Sequence, residues 1–401
     1  MTLDRRQLLK AVGAGALLSA MGSRLVGSDA AARTDGQTPR LQWVPVGNAP
    51  IARIASGNEH EAELLHPTLL PLRSLTGWAG APKWMLWAWH HDTNPTNPHF
   101  HAWTSDDVEG GAFAAAPPIP RPAGDYVAAP GVNRVYSYGH FSSGDIVWDP
   151  VGGRLVSTPH SVATSRPASL AETPQDSFMM ESRDGLTWSW LDGSPVARLS
   201  CGTVSDLDSN HTGYGRLLRD LDGQAQTLGG RYWWIYRGGH HLTSSQVSYC
   251  TPLLASASSI GGPWTKVGKA FDTAYQNATL LGFDSFLLTA GTPGVFYSTA
   301  TPAFAPIVTS YAQSSTAGAM AFPDPGVPLA LASQPRVEAP NVPGQVFAAG
   351  TNVVRDPATH QQYLVQVVNN ARYSADTTVT PPTATPHVTS SDIWLFKAVV
   401  A

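Results

Sequence analysis

The chain has 401 residues, a formal net charge of −4 and only 13% charged residues. It contains no block of Lys or Arg, which argues against a nucleic-acid partner. With 37 Gly, 33 Pro and 13 Trp it is rich in turn formers and aromatics and poor in helix formers, so it reads as all-β.

The first residues are not fold. Arg5 and Arg6 precede a weakly apolar run from Ala11 to Met21, and Ala30-Ala31-Ala32 offers a small-residue cleavage site. Paired arginines ahead of a modest apolar run look like a twin-arginine signal over residues 1–32. The expectation is export to the periplasm or beyond, with an N-terminal extension over 33–57 and the folded domain over 58–401. The apolar run is too short to span a bilayer, so no membrane span is expected. Cys201 and Cys250 form an even pair, which in an exported protein points to a disulfide, two free buried thiols being the alternative.

One phrase recurs from about residue 66 onward at intervals of roughly 60 to 80 residues. A short apolar run is followed by a turn, an aromatic-rich run and a polar corner. The first copy holds His66–Leu72, Lys83–Trp89 and His101–Asp107. The second holds Asp145–Pro150, Gly153–Ser157 and Phe178–Trp188. The third holds Gly215–Asp220, Gly230–Arg237, Leu254–Ala257 and the corner Gly261–Trp264. The fourth is short, with Asn277–Leu281, Ser285–Ala290 and Gly294–Ser298. After a Pro-rich connection from Gln313 to Pro343, the fifth holds Thr351–Asp356, Gln362–Gln366 and Ser391–Phe396. Five such copies predict an all-β, five-bladed beta-propeller, with a plain β-sandwich as the alternative. A propeller gathers its chemistry at the mouth of a central channel. A monomer is expected.

The repeated strand openings, the Ser182–Trp188 segment and the Gly261–Trp264 corner resemble the five-bladed propeller glycoside hydrolases of the arabinanase, xylosidase and fructan-hydrolase group. The resemblance implies a carbohydrate substrate and two carboxyl groups flanking a sugar bond, one donating a proton while the other attacks or activates water. That family places an aspartate before the first inner strand, an aspartate opening the second repeat and a glutamate opening the third. Asp145 matches the second position. His66-Pro67 stands at the first, and Tyr214-Gly215-Arg216 stands at the third with no glutamate. Glu63, following Glu59 and Glu61, is the best candidate for the missing acid or base. The resemblance also implies that a calcium or other divalent cation could sit on the axis.

Histidine is the less common supply. His90, His91 and Asp92 end a strand of the first repeat, His140 precedes the second, His160 ends its second strand, His211 precedes the third, and His240 and His241 end its aromatic strand. Imidazoles at comparable strand ends should converge on one rim, where they can move protons or bind a ligand. The catalytic candidates are therefore Asp145, Glu63, His66, His91 and Tyr214. The substrate-binding candidates are His90, Asp92, His140, Arg216, Arg237, His240 and Trp89, with Trp87 and Trp89 available to stack on sugar faces. Two other chemistries fit the same residues. One is β-elimination on a uronate-containing glycan, with Tyr214 or His66 as base and Arg216 as neutraliser. The other is carbohydrate binding without catalysis. No His-Glu-x-x-His signature and no Gly-x-Ser-x-Gly elbow is present, which argues against a structural zinc and a serine nucleophile.

Overall fold

The computed structural model describes residues 41–55, 64–90, 99–124, 127, 134, 136–164, 174–202, 207–240, 249–271, 275–276, 280–300, 307–314, 317–322, 327–328, 346–376 and 383–400. These residues are almost entirely strand and turn. The one α-helix among them is Leu72–Thr76, a five-residue turn closed by Gly77 in the left-handed region. No helix among the described residues is long and apolar enough to cross a membrane.

The strands pair in antiparallel fashion into six sheets. Leu64–Leu70, Trp84–His90, His99–Ser105 and Ala114–Ala115 run in sequence as one sheet, corresponding to the first repeat. The second repeat supplies two sheets. One is Ile146–Asp149, Arg154–Ser157, Met180–Ser182 and Trp188–Trp190; the other, three-stranded, joins Tyr136–Ser142, His160–Ala163 and Gln175–Ser177. The third repeat is built on Arg216–Leu217, Arg231–His240, Tyr249–Ala257 and Thr265–Lys269, and the fourth on Leu280–Thr289, Thr292–Ala300, Ile307–Gln313 and Val327–Pro328. Val346–Arg355, Gln362–Asp376 and Thr383–Val400 form the last sheet. Two strands from the other end of the chain, Leu41–Pro45 and Ala52–Ala55, pair with its C-terminal strand.

Packing between the sheets shows the propeller arrangement. In Trp84–His90 every residue is buried, yet alternate side chains serve different neighbours. Met85, Trp87 and Trp89 pack with Phe141, Ile146 and Leu155 of the second repeat. Trp84, Leu86 and Ala88 pack with Val365, Ile393 and Leu395 of the last. That split is the period of two in a strand whose two faces are both covered. Val147 and Val156 join Leu217 and Trp234, Ile235 and Leu254 join Phe283 and Phe286, and Leu287 and Phe296 join Val353 and Leu364. The apolar layers thus link the successive repeats into a closed cycle. Each buried Trp removes about 200 Å2 from water, on the order of 5 kcal/mol.

Polar contacts tie the same seams. Trp87 Nε1 donates to the Gly185 carbonyl at 2.9 Å. Gly185 lies in a corner where Asp184 Oδ1 accepts the Leu186 and Thr187 amides at 2.8 and 2.6 Å. The Ser182–Trp188 segment is thus an architectural turn. Arg355 makes a bidentate bridge to Asp222, both contacts 2.7 Å.

The expected disulfide is absent. Cys201 and Cys250 are free, buried thiols. Each is engaged elsewhere: Cys201 Sγ donates to the Gln175 carbonyl at 2.9 Å, and Cys250 Sγ accepts from Arg237 Nε at 3.1 Å.

Candidate active site

The inner strands share a defect at one level. In the first, the pairing of Leu64–Leu70 with Trp84–His90 slips between Leu65 and Thr68. Pro67 has no amide to give the ladder, so the strand bulges there. His66 is left in the left-handed region at φ 47. Ser143, ahead of the second inner strand, has φ 58, and Tyr214, ahead of the third, has φ 54. In the fourth the register shifts between Leu280 and Gly282 and again between Phe283 and Ser285. In the last it shifts between Ala348 and Thr351, with Gly350 at φ 112. Non-glycine residues at positive φ are uncommon and concentrate where structure serves a site. Here three of them stand at equivalent places in three repeats.

Two buried carboxyl-bearing residues are tied at that level to one dipeptide, Arg216–Leu217. Asp145 is 1% exposed; its Oδ2 accepts the Leu217 amide at 3.2 Å, and its Oδ1 has no hydrogen-bond partner among the described residues. Burial pushes its pKa above the ordinary value, opposed by the charges of Arg216 and Arg219. Asp284, also 1% exposed, accepts from Ser298 Oγ at 2.6 Å through Oδ2. Its Oδ1 lies 3.9 Å from His66 Nδ1, within ion-pair reach and beyond a hydrogen bond. Burial lifts the Asp284 carboxyl to about 6; the Ser298 bond and the Arg216 charge only partly counter it.

An aromatic and imidazole cluster adjoins them. The Tyr214 ring lies 5.5 Å from that of His66, 4.6 Å from His160 and 5.2 Å from His211, the last at an interplanar angle of 2°. The Arg237 guanidinium sits 5.2 Å from the centre of the same ring, in cation–π range. His211 Nδ1 lies 2.9 Å from the Gly213 amide and 3.0 Å from the Arg237 carbonyl, two contacts that hold the imidazole whichever tautomer it takes. The backbone leaves little slack. A Cβ at Gly282 would stand 3.0 Å from His66 Cε1 and 3.1 Å from Tyr214 Cβ.

The predicted residues divide. Asp145, His66, Tyr214, Arg216 and Arg237 belong to this one region. Arg216, expected to neutralise a substrate charge, is instead buried, and three of its five N–H donors go to the carbonyls of Asp284, Ser143 and Gly215. Trp89, expected to stack on a sugar, is completely buried, with Phe100 stacked on it at 4.1 Å and Phe141 edge-on at 5.6 Å. Trp87 is likewise core. His90 is buried against His101, ring centres 4.7 Å apart. His140 and His240 lie in the strands Tyr136–Ser142 and Arg231–His240, and their side chains are outside the description. Glu63, His91 and Asp92 lie outside the described residues, as do Glu59, Glu61 and His241. Among the described residues no group of three or more His, Cys, Asp or Glu could hold a metal ion.

Asp284 escapes the sequence reading. Its signal is there: a single acid inside the apolar strand Leu280–Thr289 must be hydrogen-bonded, charge-paired or protonated.

No protein-family model and no curated protein sequence matches the chain. Solved structures do. The structure of BT0996 in its RGII complex superposes with a TM-score of 0.53 at 13% identity, over 89% of this chain and 92% of that protein. A protein named "Glycoside hydrolase" gives 0.52 at 13% identity over the same shares, 89% and 92%. At such identity the likeness is one of fold: the chain is built on a propeller scaffold shared with a glycoside hydrolase.

Proposed function

We propose that the chain is a glycoside hydrolase whose reaction centre is the Asp145–Asp284 pair beside His66. The carrying observation is Asp284, a buried carboxyl with one oxygen committed to Ser298, the other facing His66, and a pKa lifted to about 6. Such a group keeps its proton in mildly acidic solution and can give it to a leaving glycosidic oxygen. Asp145 is acted on by two arginines where Asp284 is acted on by one, and it accepts the Leu217 amide. It is therefore the better anion of the two, suited to attack the sugar or to activate water. An export signal over residues 1–32 fits a glycan substrate outside the cytoplasm.

A second reading has its own observation. Tyr214 packs among three imidazoles under the Arg237 guanidinium. A phenol and imidazoles beside an arginine suit removal of a proton next to a uronate carboxylate, with Arg237 in the neutralising place first expected for Arg216.

The test is incubation of the purified protein with neutral and uronate-containing glycans. New reducing ends without the absorbance of an unsaturated uronate, abolished by Asp284→Asn, support hydrolysis. Reducing ends with that absorbance overturn it in favour of elimination. Retention of a glycan without cleavage favours a binding propeller.

A further inference from the structure

We propose that Arg216 is a positioning residue: with its neighbour Leu217 it fixes Asp145 and Asp284 on either side of one sequestered cation and so sets the division of labour between them. This rests on the hydrolase reading for its functional consequence, though not for its geometry.

Arg216 opens the short inner strand of the third repeat and is 2% exposed. Its Nε donates to the Asp284 carbonyl at 3.2 Å, and one terminal nitrogen donates to the carbonyls of Ser143 at 3.2 Å and Gly215 at 2.8 Å. One side chain thereby grips the second repeat two residues before Asp145 and the fourth repeat at Asp284 itself. The next amide, Leu217 N–H, holds the Asp145 carboxylate. A dipeptide thus fixes both acids, one through its guanidinium and one through its backbone.

None of these guanidinium bonds goes to a carboxylate oxygen. Its charge acts on both acids through space, while their Oδ1 atoms stay free of hydrogen bonds among the described residues. A cation anchored by carbonyls on two sides is held in place and is a stable source of field. The other charged groups at hand are Arg219, which acts on Asp145 and is itself faced by Asp220 and Asp222, and His66, which faces Asp284. Arg219 is anchored in the same manner, to the carbonyls of Asp220 and Val353 at 2.9 and 2.8 Å. Among the described residues Arg216 is the cation whose charge bears on both acids, lowering each carboxyl against the effect of burial.

The decisive experiment is a carboxyl-carbon NMR titration of protein labelled at aspartate, with Asp145→Asn and Asp284→Asn for assignment. Arg216→Gln should move both midpoints up by about one unit or more, and Arg216→Lys by less. In wild-type Arg216 background, Asp145→Asn should lower the Asp284 midpoint, because the cation is no longer shared. Unmoved midpoints in a folded Arg216→Gln protein overturn the proposal. If that variant does not fold, an unmoved Asp284 midpoint in Asp145→Asn overturns it equally. The titrations need no turnover, so absence of glycan cleavage would sink the hydrolase reading and leave this one to be decided by them. Where cleavage is seen, the acid limb of kcat against pH should follow the Asp145 midpoint and the alkaline limb that of Asp284; fixed limbs deny Arg216 the role.

Discussion

Asp284 Oδ1 lies 3.9 Å from Nδ1 of His66, a residue that the Pro67 bulge leaves at φ 47. Two repeats far apart in sequence thus bring a lifted carboxyl and an imidazole to one point. If Asp284 donates the proton, Asp284→Asn should lower kcat by about 100-fold or more, the range lost with a general acid. Asn keeps the size of the side chain and can still accept from Ser298, so circular dichroism should be unchanged. Loss of activity on a substrate whose leaving group needs no protonation should be much smaller, and comparison of the two substrates separates acid catalysis from simple damage.

The same substitution should change stability in the opposite sense. The Asp284 carboxyl rises from an ordinary value of 3.8 to about 6 on folding. Between those values the folded protein holds a proton that the unfolded chain has released, so this group makes stability fall as pH rises. Above the folded value the full cost is present, on the order of 3 kcal/mol for a two-unit shift. Asp284→Asn removes that cost. Thermal unfolding should show the variant more stable than wild type at neutral pH, with the gain disappearing toward pH 4 (roughly the unfolded carboxylate value). A variant no more stable at neutral pH would mean that Asp284 is not strained by its burial.

Tyr214→Phe separates the two chemistries. Phenylalanine preserves the ring contacts with His66, His160, His211 and Arg237 and removes only the phenolic oxygen. Hydrolysis by the carboxyl pair predicts a change in kcat within about tenfold, since the hydroxyl is not a reacting group. Elimination with Tyr214 as base predicts a loss of about 100-fold or more. The measurement is kcat on whichever glycan is cleaved, with product absorbance recorded in the same run.

Much of this scaffold is legible in the sequence because strand period and turn chemistry are local. The run Trp84–His90 is apolar at every step up to its closing histidine, which states that both faces are covered. The corner around Asp184 carries its own turn chemistry. His66 and Tyr214 stand out because they precede strand openings that align between repeats. Trp89 misleads because a strand-end tryptophan looks alike in sequence whether it faces a channel or a neighbouring sheet. Arg216 has the expected place, and the bonds that hold it there escape the sequence because the Ser143 and Asp284 carbonyls come from other repeats. Asp284 is easily passed over because the fourth repeat is short and the register slips just before that residue and again at it. Pairs made across repeats leave no local mark.

The free thiols give a check that needs no substrate. Cys201 is fully buried and its thiol is pushed well above its usual value, chiefly by burial and further by Asp176. A thiol held protonated is a poor nucleophile. The native protein should therefore leave Cys201 unmodified by iodoacetamide, and the denatured protein should take up two labels without prior reduction. Thermal unfolding should be the same with and without a reductant. Labelling only after reduction would show a bridge.

Gly350 and Gly282 probe how closely the backbone defines the His66 pocket. Gly350 has φ 112, and a Cβ there would stand 3.1 Å from both the Cα and the amide nitrogen of His66. Neither obstacle can move without the inner strand, and the conformation itself is unfavourable to alanine. Gly350→Ala should cost about 1–3 kcal/mol, read by urea unfolding, and activity should fall with it. Gly282 meets the His66 ring edge and Tyr214 Cβ instead. A ring can turn by a few tenths of an ångström where a strand cannot. Gly282→Ala should therefore cost less stability, under about 1 kcal/mol, while turning His66 away from Asp284 and lowering kcat. Equal stability losses in the two variants, with kcat unchanged in Gly282→Ala, would mean that the His66 ring has no part in the reaction.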